Sequence, residues 1–149
     1  MYKFLIFIHV FAAIAMLGPT YLLPALMKMR GDPPSVTVLR VEYVIARYAT
    51  GFTVVALVTG AGLMSTSPLL NDRVGEAVWL HIAITLFLIV AGLGTGYAGP
   101  RMKKAVKAGE AGDAAEVRRL LAPVDKIAGP IMGLLTAAIL YLMLFKPDF

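Results

Sequence analysis

The sequence predicts an all-α integral membrane protein: an up-down bundle of four transmembrane helices forming one domain over residues 1–149. Two observations fix the class. Of 149 residues, 59% are hydrophobic and only 15% are charged, and the mean hydropathy is +0.80. The apolar residues also fall into four separate runs, each close to the ~20 residues needed to cross about 30 Å of hydrocarbon.

The first run, about 4–27, opens on Tyr2-Lys3 and passes through Ala13-Ile14-Ala15, which imitates a secretory leader. It continues through Leu17 and Tyr21 to Leu26, longer than the apolar part of a leader, and so reads as a retained span. The second run, about 44–64, follows Pro33-Pro34-Ser35, a helix-start signal, so its helix is expected to begin before the membrane, with Arg40 and Arg47 at headgroup level. The third is about 77–98 and the fourth about 127–144. Pro19, Pro24 and Pro130 predict kinks, tolerable where neighbouring helices satisfy the freed backbone groups.

Between the third and fourth runs, PRMKKAVKAG carries the third helix out of the apolar region and GEAG breaks it. Asp113 then suits the N-cap of a short helix, AAEVRRLLAP, that Pro123 would stop. Small residues four apart, Gly92 with Gly96, Gly129 with Gly133, and Ala56 with Gly60, predict close helix packing or contacts between copies.

Charge orients the bundle. Lys28, Arg30, Arg40 and Arg47 lie between spans one and two. Arg101, Lys103, Lys104, Lys107, Arg118, Arg119 and Lys126 lie between spans three and four. The opposite side holds Lys3, Arg73 and Lys146. The positive-inside rule therefore places both basic connections in the cytoplasm and both termini outside, in a multi-pass cell-membrane protein. The net charge of +5 thus reads as topology and not as a nucleic-acid surface; contact with anionic lipid is the alternative for the third connection. The absence of cysteine excludes disulfides, thiolate metal sites and cysteine nucleophiles.

The chain has two histidines, His9 and His81, and both fall within apolar runs, where an ionisable side chain is expensive. At 1.5 Å per residue each lies roughly 6–8 Å below the same outer edge of the hydrocarbon. Spans one and three run in the same direction, so two imidazoles at matched depth on different helices suit the two axial positions of a b-type haem. Ala13 and Met16 on the His9 face, and Thr85 on the His81 face, complete the candidate pocket; Arg73 and Lys3 are the cations available to propionates. The competing expectations are structural histidines that donate interhelical hydrogen bonds, or a Cu(I) site using Met16. Zinc lacks a third ligand in the spans. No nucleophile–base pair stands out, so any redox or enzymatic chemistry would come from the cofactor.

The stretch HVFAAIAMLGPTYLLPALM, with His9, Gly18, Tyr21 and Leu23-Pro24, resembles the first span of the HemJ-type protoporphyrinogen oxidases and CopD-type copper-resistance membrane proteins. VWLHIA is similar to the Trp-Leu-His-x-Lys element that opens the third span of the HemJ-type group, matching at Trp79, Leu80 and His81. The lysine of that element is Ala83 here, and the basic residue that often follows the Leu-Pro element is Ala25. The resemblance implies haem binding, while the missing lysine removes a residue that the oxidase group uses. The expectation is a bis-histidine haem b protein in electron transfer, exchanging electrons with a quinone or a partner redox protein, alone, as a homo-oligomer or within a larger complex. The alternatives are a HemJ-like oxidase and a haem-free transport or scaffold protein that handles copper.

Overall fold

A computed structural model describes residues 1–66 and 77–146; Arg73 lies outside the described residues. The described chain is helical apart from turns. Helix α1 spans Tyr2–Thr20, α2 Leu23–Met29, α3 Val36–Thr66, α4 Val78–Gly92, α5 Gly99–Glu110, α6 Ala114–Pro123 and α7 Gly129–Phe145. Two π-helical turns, Leu93–Ala98 and Val124–Ala128, join α4 to α5 and α6 to α7. In terms of continuous rods there are four: Tyr2–Met29, Val36–Thr66, Val78–Glu110 and Ala114–Phe145, each long and apolar enough to cross a membrane. A helix satisfies its backbone polar groups internally, the requirement hydrocarbon imposes on any spanning segment.

The rods exceed the apolar runs because helix formation does not stop at the membrane edge. Helix α3 begins directly after Pro34-Ser35, with the Leu39 N–H donating to Ser35 O at 3.1 Å. The third and fourth rods extend beyond their apolar parts as a helical hairpin, α5 with α6. Its turn places Gly112 at φ 77°, and the Asp113 carboxylate caps α6 by accepting from the Glu116 N–H at 2.9 Å. Pro123 does not stop the rod; the chain passes through a π turn into α7.

Both π turns end at the dipeptide Gly-Pro. A proline has no N–H to give the preceding turn, and its ring presses on the carbonyl four residues back. Widening that turn by one residue relieves the clash. The Gly99 N–H then donates to Gly94 O and the Gly129 N–H to Val124 O. A Cβ at either glycine would lie 3.1 or 3.2 Å from that same carbonyl oxygen, so the close approach depends on glycine. Pro19 acts differently: α1 ends at Thr20, and α2 starts anew at Leu23 after a short turn.

The rods pair as two antiparallel hairpins. In the first, α1 lies along α3, with His9 at Thr59, Met16 at Thr53 and Phe11 edge-on to Phe52. The seam is narrow because Ala12 and Ala56 are buried in it. In the second, α4 lies along α7, with Gly94 against Met132 and Lys146 above the Trp79 ring at 5.9 Å. Among the described residues, Gly92, Gly96 and Gly133 of the second hairpin's small-residue stripes meet no neighbour: all three are exposed, and a Cβ at any of them would meet nothing within 4 Å.

The two hairpins join at the basic end. There Leu39 of α3 packs with Met102, Ala105 and Val106 of α5 and with Val117 and Leu121 of α6. Arg30 binds Glu42 at 2.8 Å and also Asp125; Arg40 binds Glu110 at 2.7 Å, and Arg118 binds Asp32 at 2.7 Å. Elsewhere contact between the hairpins is sparse, and large apolar side chains such as Phe7, Val58, Leu88 and Leu134 face outward, as a lipid-facing surface requires.

Candidate functional site

Helix α1 positions His9 on the face that meets α3. The ring is half-buried, and its Nδ1 lies 3.1 Å from Thr59 Oγ1. Gly60 makes room for it: a Cβ there would lie 3.1 Å from His9 Cε1. Thr59 Oγ1 also lies 2.7 Å from Val55 O, a carbonyl that can take its proton and leave its lone pair to accept from the imidazole. With the proton placed there, the neutral ring carries its hydrogen on Nδ1 and its lone pair on Nε2. Nε2 is not sealed inside the protein, because no buried side-chain nitrogen or oxygen among the described residues lacks a partner.

His81 reaches the same state by another route. Its Nδ1 lies 3.0 Å from Ala77 O, one turn back on α4. A carbonyl only accepts, so Nδ1 donates and Nε2 again holds the lone pair. The His81 ring is exposed. Thr85 donates from Oγ1 to His81 O at 2.8 Å, which turns its hydroxyl into its own helix.

The other expected site residues divide the same way. Ala13 is half-buried on α1, and Met16 touches Thr53 Oγ1 through its sulfur at 3.1 Å. His9 and Met16 thus share the α1–α3 seam. His81 and Thr85 sit on α4, which packs along α7, and no hydrogen bond joins the two imidazoles. Ala83, where the resembling family carries lysine, is fully buried while His81 is exposed, so the two positions face different surroundings. Lys3 is exposed near the His9 end of α1.

No known protein family, curated protein or solved structure matches this chain.

Each imidazole has Nδ1 at hydrogen-bond distance from an oxygen, so Nε2 is the nitrogen that His9 and His81 would each offer to a haem iron. A ligating histidine ordinarily makes just such a second bond, which fixes its tautomer and ring plane. Among the described residues no group of three or more His, Asp or Glu side chains converges, so a bare metal ion finds no ready-made cage there.

Two features escape a reading based on histidines alone. Thr59 and Gly60 lie as far from the outer end of span two as His9 lies from that of span one, so antiparallel depth-matching brings them level. The second feature is the Arg30–Glu42–Asp125 cluster. The Glu42 side chain is 0% exposed, Arg30 11% and Asp125 21%. Burial opposes the charge on Arg30, but its hydrogen bonds to Asp125 and Glu42 outweigh that and hold its pKa above the ordinary value. Glu42 falls three residues after Leu39 on the buried face of α3, a spacing that marks an acid facing inward.

Proposed function

We propose that the protein is a membrane cytochrome that holds haem b between His9 and His81 and passes electrons to a quinone or a partner redox protein. The observation that carries this reading is shared by both rings: each places Nδ1 at hydrogen-bond distance from an oxygen, which leaves Nε2 as the nitrogen to ligate iron. His9 and His81 would hold the haem, which would supply a one-electron iron couple of the kind used in electron transfer. The chain's own part is to orient the ligands. Thr59 fixes the His9 ring plane from α3, and Ala77 O fixes that of His81 within α4. Ligation would tie the α1–α3 hairpin to the α4–α7 hairpin at the end where their mutual contact is sparse.

The basic connections favour a cytoplasmic location for the joined end, with His9 and His81 toward the outer face of the cell membrane. The HemJ-like alternative, oxidation of protoporphyrinogen, draws on the resemblance at Trp79, Leu80 and His81. The buried Ala83 weighs against it, since no ionisable group stands at that position. The copper-handling alternative rests on His9 and Met16, whose sulfur lies 3.1 Å from Thr53 Oγ1; that hydroxyl also has Ala49 O as an acceptor at 2.8 Å.

Purified protein expressed with ample haem supply should show a sharp Soret band and split visible bands after dithionite reduction. Colourless protein would eliminate the cytochrome. His9→Ala and His81→Ala should each lose or shift that absorbance; a variant with an unchanged spectrum removes that histidine from the ligand set. Rescue of a strain lacking protoporphyrinogen oxidase would decide for the enzyme.

A further inference from the structure

Where the α5–α6 hairpin leaves the apolar rods, a cleft of about 300 Å³ is lined by Pro100, Arg101 and Lys104 of α5 and by Arg119, Leu120 and Pro123 of α6. We infer that this cleft binds the phosphate headgroup of an anionic phospholipid.

Charge comes first. Three cations line the cleft, and the acid bound to one of them is Glu116, which holds Arg119 through two bonds of 2.6 and 2.8 Å. Among the described residues neither Arg101 nor Lys104 forms an ion pair. They stand three apart on α5, so both project from the same side of the helix. Arg101 is also held in place: its guanidinium stacks 3.7 Å over the Tyr97 ring and donates to Tyr97 O at 3.3 Å. A guanidinium fixed by stacking keeps free N–H groups for a phosphate and loses little freedom on binding it.

The lining and location select a lipid as the source of that phosphate. Pro100, Leu120 and Pro123 add apolar surface beside the cations, which a fully hydrated small ion does not use. The cleft opens where the apolar rods begin, and exposed Ile127 and Ile131 follow it along the fourth rod. A headgroup in the cleft would leave its acyl chains against that apolar surface. Basic pockets between helices at the cytoplasmic membrane level are where anionic headgroups bind.

The full-length protein in zwitterionic micelles, titrated with phosphatidylglycerol or phosphatidylcholine and followed by native mass spectrometry, tests this. Phosphatidylglycerol should bind saturably and phosphatidylcholine much more weakly. Each cation near the surface is worth roughly a fivefold change in affinity, so the double variant Arg101→Gln/Lys104→Gln should bind phosphatidylglycerol about 25-fold less tightly. Lys103→Gln/Lys107→Gln removes the same charge from exposed positions of α5 outside the cleft and should leave binding near that of the unaltered protein. Equal losses in the two double variants would overturn the site, as would equal binding of the two lipids. Saturable binding of inorganic phosphate to the protein in phosphatidylcholine nanodiscs, without preference for phosphatidylglycerol, would overturn the lipid as ligand.

Discussion

Thr59 is the side chain that faces Nδ1 of His9. With its hydroxyl proton on Val55 O, the imidazole donates from Nδ1 and Nε2 is left with the lone pair. Thr59→Val keeps the shape and removes the acceptor, leaving Nδ1–H unsatisfied at the seam. Loss of such a supporting bond typically weakens ligation 10- to 100-fold, so haem titration of the variant should show an affinity lower by about that factor. Thr59→Ser should restore most of it. Equal affinity in the unaltered protein and Thr59→Val would mean that His9 does not ligate through Nε2. The histidines themselves were legible in the sequence because an ionisable group in an apolar run stands out. Their partners were not: one is a threonine on another helix, the other a backbone carbonyl, and neither residue type is unusual where it stands.

At the scale of elements, local rules account for helix starts and stops better than for continuity. Asp113 was recognisable as a cap from its position before AAEVRRLL, and its carboxylate does accept the Glu116 N–H. Asp113→Ala should lower the thermal stability of the micelle-bound protein by about 1 kcal/mol, and restoring the cap with Ser or Asn should recover it. If the cap contributes nothing measurable, the α5–α6 turn is held by the Leu39–Val117–Leu121 core alone. Pro123 looked like a stop, yet the fourth rod runs through it; Pro130, read as a kink, directly follows a π turn. The difference lies in the π turn, which depends on an N–H to O bond spanning five residues and leaves no pattern in hydropathy. Conversely, the Gly92–Gly96 stripe suggested close packing, and among the described residues no neighbour lies against either glycine. Spacing shows that backbones can approach; it does not show which neighbour arrives.

Among the described residues, the two hairpins are held together at one end. Arg30 belongs to the first hairpin and Asp125 to the second, with Glu42 buried between them. Arg30→Met would leave Glu42 as an uncompensated buried acid, and breaking such a pair costs about 3–5 kcal/mol. Denaturant melts in micelles should show that loss, and adding Glu42→Gln should recover much of it. Failure of the second substitution to rescue would shift the cause to the packing of the Arg30 stem. The four-rod architecture was readable from hydropathy because the bilayer dictates length and composition. The tie between hairpins was not, since it joins residues 30, 42 and 125, and distance along the chain hides such pairing.

That asymmetry also orders the protein's synthesis. The α1–α3 seam uses only residues that precede 67, so the first hairpin can close while the rest of the chain is still on the ribosome. The ion pairs and apolar contacts between the hairpins need Glu110, Val117, Leu121 and Asp125, the last of which emerges late. These residues all precede α7, so α5 and α6 can dock on the first hairpin before the last helix closes the second. A chain truncated before Asp125 would contain His9, Thr59, His81 and the Arg30–Glu42 pair but not the acid that ties Arg30 to the second hairpin.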